Sequence, residues 1–179
     1  MATPSKNHDW LAQTVEAPLD PTLPICDPHH HLWDRLTTRV APRYLMDEIQ
    51  EDVGAGHNIV STVFIECGAM FKTDGPEHLR PVGETEFVNG IAAMSASGLY
   101  GKTRVAAGII GTANLRLGDA VGAVLDAQIA AGGGRFRGIR LARPGTPTNP
   151  CRAIARNRDR DCCCAKTSAR ASPSSRRAS

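Results

Sequence analysis

The chain has 179 residues, 41% of them apolar and 4% aromatic, with 21 Lys and Arg against 18 Asp and Glu. That length suits one ordinary domain with a core. No run approaches the roughly 18 apolar residues of a membrane helix, so no spanning segment and no membrane partner are expected. The net charge of +3 hides an asymmetry, because residues 151–179 hold eight basic residues and two aspartates, leaving 13 basic and 16 acidic residues before them.

Residues 1–23 are polar and end in turn-rich text around Pro21 and Pro24, which reads as an arm leading to a first strand. The arm lacks the apolar core of a secretory signal, so the cytoplasm is the expected location. The first strand is short, and its segment Ile25-Cys26-Asp27-Pro28-His29-His30-His31-Leu32-Trp33 runs from apolar residues into a dense polar cluster. After a loop with Pro42, Tyr44 to Ile49 reads as a helical turn, and Gly54 and Gly56 punctuate the approach to the next strand.

Val60 to Cys67 is β-branched and almost continuously apolar, as a parallel strand covered on both faces requires. Glu84 to Ser97 places Phe87, Ile91 and Met94 on one helical face, which should pack on the sheet. Arg104 to Gly111 reads as a third strand. Asp119 to Ala131 reads as a further helix with Val121, Val124, Leu125 and Ile129 on one face, stopped by Gly132 to Gly134. Arg135 to Leu141 gives a fourth strand. Such alternation, with connections too long for hairpins, implies parallel strands and right-handed crossovers.

Beyond Ala142 the pattern stops. Residues 143–179 contain no Val, Leu, Phe, Met, Trp or Tyr and a single Ile, Ile154, so they cannot bury a core. Their Arg, Ala, Ser, Pro and Cys bias fits either an out-of-frame reading of a GC-rich gene or a disordered basic tail. The organisation expected is therefore an arm at 1–23, an α/β domain at 24–142 and a tail at 143–179. Cys26 and Cys67 fall in strands expected to be buried, and Cys151, Cys162, Cys163 and Cys164 crowd the tail, which is no disulfide framework.

On a regular strand, residues two apart point to the same side. Asp27, His29 and His31 then share one face while Pro28 and His30 share the other. A His-x-His pair at the end of a buried strand supplies two nitrogen ligands to one ion, zinc being the favoured metal. The third and fourth must come from elsewhere, and the bland reading is a surface cluster of histidines. Trp33 and Phe71 either line a pocket or simply pack. Three adjacent cysteines lack zinc-knuckle spacing, and Gly132-Gly133-Gly134-Arg135 precedes a strand instead of opening a helix, so it is no phosphate loop.

Asp27-Pro28-His29-His30-His31-Leu32-Trp33-Asp34 resembles the opening motif of the amidohydrolase-related (amidohydrolase 2) family of metal-dependent TIM-barrel hydrolases, which includes lactonases and decarboxylases. Val63 to Cys67, Gly83 to Phe87 and Phe136 to Arg140 resemble that family's second strand, following helix start and fourth strand, so the likeness covers about residues 23–142. The resemblance implies an α/β fold that is a partial (β/α)₈ barrel of about four β/α units, since a whole barrel takes roughly 250 residues. It further implies a divalent metal on His29 and His31, completed in the family by later histidines and a late aspartate, and a small carboxylated or lactone-type substrate.

Asp27 would orient a histidine or cap the strand. Glu66, at the end of the second strand, would contact metal, substrate or a buried arginine, and Arg140 would bind a substrate carboxylate or pair with Glu66. The remaining histidines, His8, His30, His57 and His78, all precede the third strand, so the family's later ligands have no counterpart. The chain reads either as a truncated metal-dependent hydrolase or as a non-catalytic half-barrel that self-associates through open sheet edges. A third reading takes the arginines of the tail as a nucleic-acid arm, but no aromatic residues accompany them for stacking, and it is the weakest of the three. Translating the other two frames beyond the codon for Leu141 separates the accounts of the tail. A frame that continues in β/α units with two histidines and a late aspartate marks the tail as out of frame, whereas no such frame marks the tail as genuine.

Overall fold

The computed structural model describes residues 13–14, 16–34 and 43–141. The expected tail and the first part of the arm lie outside these residues, as do Cys151, Cys162, Cys163, Cys164 and His8. Strand β1 (Ile25–His30) is followed by a two-residue antiparallel ribbon, β2 (Trp33–Asp34) with β3 (Arg43–Tyr44). Then come α1 (Met46–Val53), β4 (Ile59–Ile65), α2 (Val82–Ala96), β5 (Arg104–Gly111), α3 (Val121–Ala131) and β6 (Phe136–Ile139). The alternation read from the sequence is present, with the small ribbon added between β1 and α1.

Four strands form one sheet in the order β1-β4-β5-β6, and every neighbouring pair is parallel. Strand order thus follows chain order without a reversal. In such a sheet each helical connection returns the chain to the next place along, so the carboxyl ends of all four strands lie at one end, where α/β sheets build their sites.

The core gathers Leu32, Met46, Ile49, Phe64, Val88, Ile91, Ala92, Val105, Ala106 and Ile109. Phe64 and Ile109 are register partners on β4 and β5 and are both fully buried. Their neighbours Val63, Ile65 and Ile110 point to the opposite face and are only half-buried. One face of the sheet is therefore sealed by helices and the other is partly open.

The faces of the two long helices are rotated from the sequence expectation. In α2 the first turn from Val82 to Thr85 is buried throughout, and beyond it the buried positions are Val88, Ile91, Ala92 and Ser95, while Phe87 is half-buried and Met94 is 37% exposed. In α3 they are Val124 and Gln128, while Ile129 is 58% exposed. The reason is polar pairing. The fully buried Gln128 accepts a hydrogen bond from the Thr85 hydroxyl and donates to the Thr112 carbonyl at 3.1 Å, and Ser95 Oγ donates to the Thr103 carbonyl at 2.8 Å. Once paired, such side chains cost little to bury, and they take positions that an apolar count gives to Met94 and Ile129. Cys26, expected inside, is exposed; Cys67 is half-buried, and both are free thiols.

Two of the register shifts in the sheet bear on the site. Between Asp27↔Thr62 and His30↔Phe64, β1 takes three residue steps where β4 takes two. Between Ser61↔Arg104 and Val63↔Gly108, β5 takes four steps against two, with Ala106 in the left-handed region at φ 51°. The burial pattern yields a stability contrast measurable by urea unfolding. Phe64→Ala should cost about 3–5 kcal/mol through cavity formation, whereas Ile129→Ser should stay within about 0.5 kcal/mol.

Candidate metal centre

At the carboxyl end of the sheet the three histidines separate as alternation requires. His30 turns into the core, where its ring stands edge-on to Phe64 at 5.9 Å and its Nε2 lies 2.9 Å from the Thr62 hydroxyl. Its Nδ1 faces the His31 carbonyl at 3.4 Å, so Nδ1 carries the proton and Nε2 accepts from Thr62. Burial lowers its pKa to about 4, which keeps the ring neutral.

His29 and His31 point the other way and meet each other, with ring centroids 4.9 Å apart and planes at 89°. Their Nε2 atoms are 3.3 Å apart. His31 Nδ1 donates to the Ile65 carbonyl at 2.8 Å, which leaves its Nε2 as a bare lone pair. Desolvation lowers the pKa of His31, further favouring the neutral ring. Trp33 lies across it at a centroid distance of 5.0 Å, so this aromatic packs on a site histidine. Phe71 is half-buried on the loop after β4.

Glu66 and Arg140 come together as well, from the ends of β4 and β6. Arg140 Nε donates to Glu66 Oε1 at 3.1 Å and Nη2 to the Glu66 carbonyl at 2.6 Å, while Nη1 approaches His29 Nε2 at 3.5 Å. Of the roles the sequence left open for Arg140, the ion pair with Glu66 is the one formed. Its side chain remains 39% exposed, whereas that of Glu66 is 4% exposed.

Asp27 is placed differently from its strand-alternation position. The β1 bulge interrupts the alternation and sets Asp27 level with Thr62, whose side chain belongs to the core layer. Its Oδ1 accepts from the His29 backbone N–H at 3.0 Å, so it braces the bulge.

The imidazole pair fits a divalent ion. Tetrahedral zinc with N ligands at roughly 2.0–2.1 Å holds two of them about 3.3–3.4 Å apart, which is the separation found. His29 Nε2 either donates its proton to the bare His31 Nε2 or offers a lone pair to Arg140 Nη1, so the tautomer of His29 decides which neighbour it holds. Among the described residues no group of three or more His, Cys, Asp or Glu gathers for a metal. His57, on the loop before β4, and His78, in a short 3-10 turn at Glu77–Leu79, are both exposed. Cys67, one residue beyond Glu66, has its thiol pushed up to about 12 by burial, which keeps it in the neutral S–H form.

Sequence reading missed three contributors: Thr62, the Ile65 carbonyl and Glu84. The buried Glu84 carboxyl is raised to about 7 by desolvation. Only the acidic residue three places into a helix signalled it, and that pattern more often marks an exposed cap. The chain matches no protein-family model, no curated protein and no solved structure.

The two buried titrating groups act on stability with opposite signs. Glu84 is raised from 4.5 to about 7, so the folded chain holds its proton longer than the unfolded chain, and this contribution is lost as pH climbs through 7. His30 is lowered from 6.5 to about 4, so its contribution is present above pH 6.5 and lost as pH falls toward 4. Urea unfolding across this range should therefore find Glu84→Gln gaining on the parent chain by about 3 kcal/mol from pH 4.5 to above 7. A difference that does not change with pH would contradict the burial of that charge.

Proposed function

We propose that the chain is the metal-binding half of an amidohydrolase-type barrel hydrolase, with His29 and His31 as ligands to one divalent ion, zinc by preference, and a small carboxylated or lactone-type substrate in the cytoplasm. The observation that carries the reading is the pair of facing Nε2 atoms 3.3 Å apart, one of them stripped of its proton by a backbone carbonyl. A parallel sheet in sequential order, with the pair at its carboxyl end, supports the barrel part of the proposal.

A bound ion of this kind lowers the pKa of a coordinated water toward about 7 or polarises a carbonyl. The chain's own residues supply the rest. His31 is held in its ligating tautomer by Ile65, as carbonyls beyond the ligand shell do in zinc sites. Arg140, neutralised on one side by Glu66, keeps Nη1 beside His29 and offers a half-exposed donor for a substrate carboxylate. Trp33 shields one side of the His31 ring.

Two imidazoles are fewer than the three protein ligands typical of catalytic zinc sites. That favours a second reading alongside the first, in which the chain binds metal but does not turn over substrate unless further ligands join it. Competition with a zinc-responsive chelator distinguishes the ligands. His29→Ala and His31→Ala should each weaken zinc binding at least about tenfold, while a folded His30→Ala should retain it. Equal loss in all three variants would remove the alternation on which the site is built. Zinc-dependent hydrolysis of simple lactones that His31→Ala abolishes would favour the catalytic reading over the binding one.

A further inference from the structure

Glu84 sits in the first turn of α2 with 1% of its surface exposed and joins no ion pair among the described residues. Its Oε1 accepts from Ala69 N at 2.7 Å, from Cys67 N at 3.1 Å and from the Cys67 thiol at 3.6 Å, while Oε2 is buried without a partner. An uncompensated buried carboxylate is a poor way to stabilise a helix start. It is an effective way to grip two backbone N–H groups, because a single oxygen, Oε1, accepts from both.

The gripped segment is seated closely on the same turn of helix. A Cβ on Gly83 would stand 2.5 Å from the Met70 carbonyl oxygen and 3.0 Å from Lys72 N, and Lys72 N donates to the Arg80 carbonyl at 3.0 Å. Met70, at the crest of the loop, has φ 53°. Loop and helix start therefore form one clamp.

What the clamp holds is the underside of the histidine pair. The segment begins at Ile65, whose carbonyl fixes His31, and at Glu66, whose carbonyl and carboxylate both hold Arg140. The Cys67 sulfur also lies 3.4 Å from the carbonyl of Leu32, the residue after His31, which is the alternative acceptor for its single S–H.

We propose that Glu84 is the positioning residue of the histidine site: by holding Cys67 and Ala69 it sets the place of Ile65 and Glu66, and through them the tautomer of His31 and the guanidinium of Arg140. The functional meaning rests on the metal-site reading above, but the effect on His31 exists without metal. Burial, which raises the Glu84 carboxyl, is consistent with a group kept for its geometry. Glu66 and Cys67 are the titratable neighbours that act on it from the strand side, and Arg80, with its Nε buried and unpartnered, lies one turn before it.

The test uses the full chain with ¹⁵N-labelled histidine, read by NMR without metal and then by zinc competition. In Glu84→Ala the Nδ1-protonated share of His31 should fall and zinc binding should weaken about tenfold. Glu84→Gln, whose amide oxygen still accepts, should recover most of both. Val124→Ala, a comparable loss of packing in α3, should move neither. Should Glu84→Ala fail to fold, Gly83→Ala drives the Met70 carbonyl from its seat and should shift the same His31 resonances. A folded Glu84→Ala with parental His31 signals, or a Val124→Ala that moves them equally, overturns the proposal. If the parent chain binds no zinc, the metal-site reading fails, and the His31 tautomer alone decides the role of Glu84.

Discussion

The hydroxyl of Thr62 fastens together the two irregular strands on either side of β4. It accepts from the Ala106 N–H at 2.9 Å, where β5 bulges and the backbone acceptor is displaced, and it donates to His30 Nε2 across the β1 bulge. Each of these partners would otherwise be a buried polar group without a bond, at roughly 1–3 kcal/mol apiece. His30 is drawn inward there, while strand alternation turns its chain neighbours at 29 and 31 outward. The facing imidazoles thus follow from the backbone of β1, and the His30 ring serves to close the core beneath them.

Around that anchor the charges are arranged so that a cation can be tolerated. His30 and His31 are both kept neutral by burial, and Arg140, which reaches His29, is offset by Glu66. Ion pairs at open surfaces contribute little to stability. Glu66 is buried, however, and its carbonyl and carboxylate grip the guanidinium at two points. Such a pair is better understood as fixing the direction of Arg140 than as holding the sheet together. The half-open sheet face beyond it, formed by Val63, Ile65 and Ile110, leaves the pair accessible from the side that the helices do not cover.

Much of this architecture can be read in the sequence, because parallel strands and amphipathic helices announce themselves through runs and periods. Arg104–Gly111 is the same segment in both readings, and the ends of β4, α2 and β6 move by one or two residues. The helix faces are less legible. Met94 and Ile129 are apolar and exposed, while Gln128 and Ser95 are polar and buried, because hydrogen bonds between distant segments decide those positions and no local pattern carries them. At the site, the separation of His30 from His29 and His31 follows from the two-residue period alone. Asp27 does not follow it, since the bulge adds a step that nothing in Asp27-Pro28-His29 announces. The tautomer lock on His31 depends on a backbone carbonyl 34 residues away, which is invisible in side-chain identity.

X-ray absorption at the zinc edge of the metal-loaded full chain tests the central claim most directly, because it counts imidazoles without reference to activity. Two imidazole ligands at about 2.0–2.1 Å, with oxygen completing the shell, are expected, falling to one in His29→Ala and one in His31→Ala. A shell without imidazole, or one unchanged by both substitutions, would contradict the assignment of the pair as a metal site.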